Sequence, residues 1–426
     1  MYDQSFCRKT LEREIRKSDF RRIPAKDQAA FKEKLLTLAL NAANSYFLPP
    51  PHIGTANLLT AFPLEGKTVF GFAKLSDEIV ARKLRTNIKR ATKVLTRGRS
   101  QIVANLQLLL EEGIPYKVYR FDVKSFYESF NRENVLKAVN ELPKLSPHSK
   151  TLVAAILRNH ELIGGYGLPR GLALSAVLSD WLMQEFDSMV AGHDDVFFYS
   201  RFVDDIIVLT SAREDSVLFS TWIERILPNG LTLNAIKSDV FSADKRVSPA
   251  KAPAIPPHIL QFDYLGYSFS VNEPPLNTKV KSGAHARHVV ADVASGKIRK
   301  LKKRIVRSFL DYATTSNWSL LIDRIKFLTQ NFSVYNPKVG GKKLAGIYHS
   351  YPQVSQDAKG LKELDRFLRN SILSKTGRVS SMTSAVLNAQ QKRQLLSQSF
   401  VRGHNKKTFV HFSAARISQI QKCWLN

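Results

Sequence analysis

The sequence predicts an α/β fold in its middle and a helical, strongly basic C-terminal third. Short runs of β-branched and aromatic residues, typical of buried strands, alternate with longer runs whose apolar residues recur at helical spacing. Beyond about residue 290 the strand-like runs end and the chain is expected to turn helical. At 426 residues it is long enough to bury a large core and to form two or three domains.

The charge of the chain is high and unevenly distributed. In total, 64 Lys and Arg against 36 Asp and Glu give a formal net charge of +28. From Leu276 to the C-terminus there are 28 basic and 6 acidic residues. Such an excess indicates a polyanionic partner, most often nucleic acid. A membrane surface fits poorly, because we find no signal peptide, lipidation motif or apolar run of about 18 residues.

The N-terminal part is predicted to be helical and basic. Residues 1–48 carry apolar residues at helical spacing until Pro49–Pro51 interrupts the pattern. Residues 77–110 are again helical or mixed, and residues 82–99 contain eight Lys or Arg and no acid. The two cysteines, Cys7 and Cys423, lie too far apart in sequence to indicate a disulfide framework or a zinc site, which suits a reducing cytoplasm.

The middle of the chain alternates between the two patterns. The predicted elements are a strand at Val118–Val123, helices at 131–139 and 149–160, one long helix ending at Val190 after a Gly-rich start at Leu168, two short strands about a tight turn at Phe197–Thr210, and a further strand at Phe262–Ser270. A later helix, residues 297–310, has an apolar stripe on one face. Its residues 297–307 include seven Lys or Arg, as expected of a helix that faces a phosphate backbone.

Two adjacent aspartates interrupt the most strand-like segment. Asp204 and Asp205 stand at the predicted turn, where they project from the edge of a sheet and require a compensating cation. Asp122 ends a separate strand, so three carboxylates converge if that strand lies beside the hairpin. Hard carboxylate oxygens suit Mg²⁺, and two such ions about 3.5–4 Å apart form a site for phosphoryl transfer. The alternative is a structural ion pair with Arg120 or Arg201.

Several segments, taken in order, resemble the motifs of reverse transcriptases. They are RGRSQIVANL (97–106), RFDVKSFYESF (120–130), GYGLPRGLALSAVLSDWLM (165–183), FYSRFVDDII (198–207), LTLNAIKSD (231–239) and FDYLGYSF (262–269). The resemblance runs from about Arg82 to Ser270 and is closest to bacterial reverse transcriptases, most of all to the antiphage defence-associated kind. Within that kind it points to type 3 systems, in which two reverse transcriptases work together. Retron and group II intron enzymes are more distant.

The resemblance implies a right-hand polymerase fold with fingers, an antiparallel-sheet palm and a helical thumb. The implied division is an N-terminal helical region and fingers at 1–115, a palm with finger insertions at 116–275, and a basic helical thumb and C-terminal region at 285–426. The implied activity is that of an RNA-directed DNA polymerase, a nucleotidyltransferase that adds dNTPs, acting in bacterial antiphage defence.

The resemblance also assigns roles to individual residues. Asp122, Asp204 and Asp205 are the implied catalytic residues; with the backbone carbonyl of Val123 they hold two Mg²⁺ ions, for which Mn²⁺ can substitute. Tyr127 matches the aromatic gate that excludes a ribose 2′-hydroxyl. Further nucleotide or phosphate contacts are expected at Arg82, Lys93, Arg97, Arg99, Arg170, Gly171 and Lys237.

Arg170 departs from the family pattern, which usually has Gln there. An Arg fork can hydrogen-bond a base edge, so a template-independent or protein-guided DNA polymerase is an alternative function. A non-catalytic RNA-binding scaffold is another, and an RNA polymerase is disfavoured by Tyr127. The expected partners are an RNA template or non-coding RNA, a DNA product, dNTPs, and a second reverse transcriptase subunit or a second copy of the chain, in the bacterial cytoplasm and without a membrane.

Overall fold

The structure is a computed structural model of the 426-residue chain. It describes residues 2–20, 23–48, 57–64, 66–95, 98–244, 258–273, 286–336, 341–374, 376–377, 381–382 and 386–424. The chain forms two compact units, of which the first comprises residues 1–97 and 116–242 and the second residues 98–115 and 243–426. The division into fingers, palm and thumb at 1–115, 116–275 and 285–426 stays a prediction.

The described residues form α-helices and β-strands in a mixed order. The helices are α1 Arg8–Glu12, α2 Gln28–Asn44, α3 Leu75–Thr92, α4 Arg99–Leu110, α5 Arg132–Glu141, α6 Pro147–Leu162, α7 Ala173–Leu182, α8 Gln184–Ala191, α9 Ser216–Arg225, α10 Ser295–Thr315, α11 Trp318–Thr329, α12 Ile347–Ser350, α13 Gly360–Leu373, α14 Ala389–Leu396, α15 Phe400–Asn405 and α16 Ala414–Lys422. The strands are β1 Leu59–Leu64, β2 Lys67–Phe72, β3 Tyr116–Asp122, β4 Val196–Phe202, β5 Asp205–Thr210, β6 Asp239–Ala243, β7 His258–Tyr264, β8 Tyr267–Asn272, β9 His288–Val293, β10 Asn331–Asn336 and β11 Gly341–Gly346.

A four-stranded sheet in the order β4-β5-β3-β6 organises the first unit. β3 and β4 both pair antiparallel with β5. The residues of β5 from Ile206 to Leu209 are fully buried, because this central strand has packed neighbours on both faces. Helix α3 packs against α2 and α7, and one hydrophobic cluster connects these helices to the sheet. The predicted α/β class, the β3 strand and the β4–β5 hairpin are confirmed.

The prediction of one long helix that runs to Val190 is wrong in one respect. It is two helices, α7 and α8, which meet at Met183. The ψ angle of Met183 is −5°, away from the helical value, and its side chain is fully buried. The uninterrupted helical spacing of the sequence conceals this bend, because apolar residues continue on both sides of it.

The single strand predicted at Phe262–Ser270 is a hairpin of two strands, β7 and β8. Leu265 and Gly266 form its turn and both have positive φ angles, 47° and 78°. Two-residue turns of this kind match the twist of antiparallel strands. The expectation that the chain is helical beyond residue 290 also needs correction, because β9 ends at Val293 and β10 pairs with β11 in a hairpin.

The second unit otherwise has the predicted helical core. Ile298, Ile305 and Phe309 of α10 are buried, and Leu301 packs partly buried against the same cluster, so the predicted apolar stripe is confirmed. α10 packs against α11 and α13. Among the described residues, no helix combines the length and apolar character needed to cross a membrane.

His160, near the end of α6, gives the first unit a dependence on pH. Its ring is 1% exposed and packs edge-on against Phe70 with 4.4 Å between ring centres. Burial, helped by the charge of Arg132, lowers the pKa of His160 from 6.5 to about 4. Folding therefore favours the neutral ring, and the stability this contributes is full above pH 6.5 and is lost as the pH falls towards 4.

We expect protonation of His160 to lower the free energy of unfolding by up to about 3 kcal/mol as the pH falls from 6.5 to 4. The change that tests this is His160→Leu, which should flatten the dependence of the urea midpoint on pH between 7 and 4.5. The matched control is His411→Leu, at an exposed histidine, which should leave the dependence intact. An unchanged pH dependence in His160→Leu would contradict the assignment.

Candidate active site

Asp122 and Asp205 face each other across paired strands. β3 ends at Asp122, β5 begins at Asp205, and the antiparallel register places the two directly opposite. The Val123 N–H donates to the Asp204 carbonyl at 3.0 Å, which extends the pairing by one residue. Opposite residues in such a pair lie on one face with Cβ atoms roughly 4.5–5.5 Å apart. The three aspartates therefore meet at one end of the sheet.

The turn that carries Asp204 has a costly backbone conformation. Val203 has a φ angle of 63°, and the left-handed region costs an ordinary L-residue about 1–2 kcal/mol. Nη1 of Arg201 donates to the Val203 carbonyl at 3.0 Å. The same guanidinium donates to both carboxylate oxygens of Asp187 at 2.8 Å each, and its side chain is 6% exposed. Arg201 thus ties the turn to α8.

The aspartates at this end of the sheet repel one another. Asp122 is buried, and Asp204 and Asp205 are half-buried. Burial raises the pKa of Asp205 to about 6, with the charges of Asp204 and Asp122 acting in the same direction. The positive charges of Arg120 and Lys237 oppose this shift. A bound cation would reduce the repulsion among these carboxylates and would therefore stabilise the site.

The segment after α9 places two side chains on Asp122. Nζ of Lys237 lies 3.1 Å from Oδ1 and 3.3 Å from Oδ2 of Asp122, and Nδ2 of Asn234 donates to Oδ2 at 3.2 Å. The Asn234 N–H also donates to the Asp122 carbonyl at 2.7 Å, and the Lys124 N–H donates to the Thr232 carbonyl at 2.9 Å. This backbone pairing explains why both side chains reach one carboxylate.

Residues 77–269 match the family model described as reverse transcriptase (RNA-dependent DNA polymerase). The chain carries a reverse transcriptase domain. This segment includes β3, β4, β5 and all three aspartates. The match confirms the predicted polymerase fold, α/β with antiparallel sheets, and it places residues 77–269 in the predicted enzyme class, the RNA-directed DNA polymerases.

Solved telomerase structures show a low similarity to the chain. Apo telomerase from Candida tropicalis is 10% identical with a TM-score of 0.35, over 88% of this chain and 66% of that one. Telomerase from Candida albicans in complex with the TWJ fragment of telomeric RNA is 13% identical with a TM-score of 0.34, over 80% and 66%. A C. tropicalis telomerase truncated from its C-terminal domain is 12% identical with a TM-score of 0.33, over 51% and 54%. The chain spans between about half and two thirds of the length of these telomerases. No curated protein matches the sequence.

Tyr127 lies close to the aspartates of the reverse transcriptase domain. Burial raises the pKa of its hydroxyl, and the negative charges of Asp180 and Asp204 add to the shift. Its ring packs edge-on against Phe126 with 5.3 Å between centres. Beside it, Arg170 makes a bidentate ion pair with Glu128. Nε and Nη2 of Arg170 are therefore engaged by Glu128, and the predicted contact of Arg170 with a base stays a prediction.

Gly171 allows a close approach of backbone to backbone. Its φ angle is 101°, and a Cβ on Gly171 would lie 2.5 Å from Cγ1 of Val69 and 2.8 Å from the carbonyl oxygen of Phe70. The Phe70 N–H donates to the Arg170 carbonyl at 2.8 Å. In this structure the glycine serves the packing of the Arg170 segment on β2. Its predicted contact with a nucleotide is not tested by this packing.

Arg82 is engaged in ion pairs in the reverse transcriptase domain. It is 7% exposed, and Nη1 and Nη2 donate to the two Asp19 oxygens at 2.7 and 3.1 Å. Nη2 also donates to Glu78 at 2.8 Å. These pairs join α3 to the N-terminal segment, and they would have to break before Arg82 could bind phosphate.

The other basic residues differ in their surroundings. Lys93 is exposed at the C-terminal end of α3. Arg99 belongs to the second unit, where its guanidinium lies 5.2 and 5.5 Å from the ring centres of Tyr267 and Tyr351. Arg97 lies outside the described residues. Within the first unit, the structure gathers Asp122, Asp204, Asp205, Tyr127 and Lys237 at one end of the sheet, whereas Arg82 is bound to Asp19 and Glu78.

Reverse transcriptases use divalent metal ions, and the donor set here suits them chemically. Three carboxylates with mutual repulsion supply hard oxygen ligands. Within the described ranges, however, no three His, Cys, Asp or Glu side chains are already arranged to hold an ion. The Lys237 ammonium lies on Asp122, so Asp122 would exchange that cation for a metal. Which ions bind stays a prediction.

Sequence reasoning missed three contributors to the site. Asn234 contacts Asp122, Glu128 binds Arg170, and Asp187 holds Arg201. The first has a usable signal, because a polar residue three positions before Lys237 can reach the same target in a tight turn. Asp187 stands seven residues after Asp180 in a mostly apolar stretch, a spacing that shares one face in the single helix predicted from the sequence. We find no sequence signal for Glu128.

Proposed function

We propose that this protein is an RNA-directed DNA polymerase that joins a dNTP to a 3′-hydroxyl at the Asp122 end of the sheet. One observation carries the proposal. Asp122 lies opposite Asp205, and the N–H next to Asp122 binds the Asp204 carbonyl, in a segment that matches the reverse transcriptase family. Carboxylates that converge at one sheet end are suited to hold the divalent ions that assist phosphoryl transfer to a hydroxyl.

Each residue has a proposed task at this site. Two divalent ions, Mg²⁺ or its substitute Mn²⁺, would be held by Asp122, Asp204, Asp205 and the Val123 carbonyl. Bound ions of this kind supply the charge that activates the attacking hydroxyl and neutralises the leaving pyrophosphate. Lys237, once released from Asp122, provides a positive charge beside the pyrophosphate.

The same site is proposed to select deoxynucleotides. The half-buried Tyr127 ring stands near Asp204 and would occupy the space that a 2′-hydroxyl needs. The direct test uses purified protein, Mg²⁺, a DNA primer on an RNA template, and each dNTP or rNTP in turn. We expect template-dependent dNTP incorporation that stops when EDTA removes the metal. Incorporation that ignores the template, or none at all under any divalent ion, would contradict the proposal.

We further propose a role in bacterial antiphage defence, in the cytoplasm, with an RNA template and a second reverse transcriptase subunit or a second copy of the chain. The support is the resemblance of segments such as 120–130 and 165–171 to the defence-associated kind. The strongly basic C-terminal third supports a nucleic-acid partner. Phage plating on cells that carry the wild-type gene or the Asp204→Ala variant tests the role: equal plating on both would exclude it.

No observation favours the template-independent alternative. This alternative rests on hydrogen bonds from the Arg170 fork to a base edge, and Nε and Nη2 of that fork donate to Glu128. Sequencing the product separates the two functions. A copy of a discrete RNA is the result expected for templated synthesis, whereas a simple repeat made without RNA would favour the alternative.

A further inference from the structure

Tyr127, Glu128 and Arg170 form one connected group in the first unit. Nε and Nη2 of Arg170 donate to the two carboxylate oxygens of Glu128 at 2.7 and 2.8 Å. The same guanidinium carbon lies 5.3 Å from the ring centre of Tyr127. A bidentate Arg–carboxylate pair fixes the plane of the guanidinium, and a guanidinium over an aromatic face is attractive. The pair therefore acts on the ring of Tyr127, the residue adjacent to Glu128.

The backbone around this group leaves it little freedom. The Leu168 N–H donates to the Tyr127 carbonyl at 2.8 Å. Gly167, with a φ angle of 58°, is packed so closely that a Cβ on it would lie 2.4 Å from the Tyr127 carbonyl oxygen and 2.6 Å from that of Glu128. The Arg170 carbonyl is bound by the Phe70 N–H. Main-chain contacts thus hold both ends of the group, and the ion pair determines how the side chains meet.

The ring of Tyr127 is held from two sides. Phe126 contacts it edge-on, and the Arg170 guanidinium lies over it. Removing the guanidinium would free one side of the ring and leave the other contact in place. A mobile aromatic ring excludes a neighbouring hydroxyl less well than a fixed ring does. Steric discrimination requires that the excluding side chain stay in place.

We propose that Arg170, positioned by Glu128, is a specificity-determining residue that holds Tyr127 against the sugar of the incoming nucleotide. This rests on the proposed polymerase function. In this proposal Arg170 is a positioning residue, because Nε and Nη2 of its guanidinium donate to Glu128. Position 170, where the family usually has Gln, therefore affects in this chain whether a nucleotide with deoxyribose or with ribose is accepted.

The ion pair can be removed without unfolding the protein. Its side chains are 19% and 38% exposed, and pairs that solvent reaches contribute little to stability. Glu128→Gln preserves size and polarity and Arg170→Gln preserves polarity with a shorter side chain, so both melting temperatures should stay near that of the wild type. A change in nucleotide choice then reports on Tyr127 and not on the fold.

The experiment measures kcat/KM for a dNTP and the matching rNTP. We expect the wild type to prefer the dNTP, Tyr127→Ala to lose that preference, and Arg170→Gln or Glu128→Gln each to reduce it by about 10-fold. Because the two residues act as a unit, the double variant should lose no more than the worse single variant. In the Tyr127→Ala background, Arg170→Gln should have no further effect on the preference.

The matched control is Glu161→Gln, which removes the ion pair with Arg132 at 2.9 Å and leaves Tyr127 untouched. It should keep the wild-type preference. An active wild type whose preference survives Arg170→Gln overturns this inference alone. A change among the four dNTPs when Arg170→Gln is made in the Tyr127→Ala background also overturns it, because Arg170 would then contact the base. A wild type that incorporates neither nucleotide overturns the proposed function, and the inference with it.

Discussion

Replacing Asp204 and Asp205 together with alanine is expected to reduce dNTP incorporation by about 1,000-fold or more. The register that sets Asp122 opposite Asp205 leaves only one proposed ligand side chain, Asp122, after this change. A lone carboxylate that already contacts Lys237 cannot hold two ions. The measurement is single-nucleotide extension of a labelled primer on RNA, with wild type and variant at equal concentration.

The variant should lose activity without losing stability. In metal-free buffer it removes two of the three carboxylates that repel one another, so its melting temperature should equal or exceed that of the wild type. Asp194→Ala, at an exposed aspartate in the turn before β4, is the control and should leave both properties unchanged. Undiminished extension by the double variant would remove these residues from the chemistry. A variant that still protects cells from phage would favour a non-catalytic RNA-binding scaffold.

Arg201→Ala is expected to destabilise the first unit by about 1–3 kcal/mol, because it removes a buried guanidinium from half-buried carboxylates and leaves them without their partner. The guanidinium binds Asp187 through both carboxylate oxygens and lies 3.4 Å from Asp180. It also holds the carbonyl of Val203, whose φ angle of 63° needs support from its surroundings. Urea unfolding followed by tryptophan fluorescence gives the difference.

Two further variants distinguish the effect of Arg201 on the stability of the first unit from its effect on the position of Asp204. Arg201→Lys keeps the charge but cannot form the fork, so it should fold and yet lower kcat by placing Asp204 poorly. Arg213→Ala, at an exposed arginine just after β5, is the control for removing a positive charge. A urea midpoint for Arg201→Ala equal to that of Arg213→Ala would show that the buried network contributes nothing to stability.

The sequence predicted the parts of the fold that have strong local patterns. β3, β4 and β5 are short runs rich in β-branched and aromatic residues, and the turn between β4 and β5 places two adjacent aspartates between two such runs. The hairpin at Leu265–Gly266 was missed, because its turn contributes a single glycine between apolar strands. The bend at Met183 was missed, because apolar residues recur at helical spacing on both sides of it.

The acidic residues of the candidate site could be predicted from the sequence, but the contacts that support them could not. Adjacent Asp204 and Asp205 are improbable in a buried strand unless a cation or a turn explains them, and Asp122 follows from strand order. The bond from Asn234 to Asp122 and the pair between Glu128 and Arg170 join segments 112 and 42 residues apart in the chain. Such contacts depend on tertiary packing, which local propensity does not encode.

The central claim is that Asp122, Asp204 and Asp205 form one divalent-metal site. Electron paramagnetic resonance of Mn²⁺, titrated into the protein with primer, RNA template and a dNTP present, tests it directly. The wild type should bind two Mn²⁺ per chain, and both Asp122→Ala and Asp204→Ala should reduce that number while Asp194→Ala does not. Equal Mn²⁺ binding by all four proteins would contradict the claim.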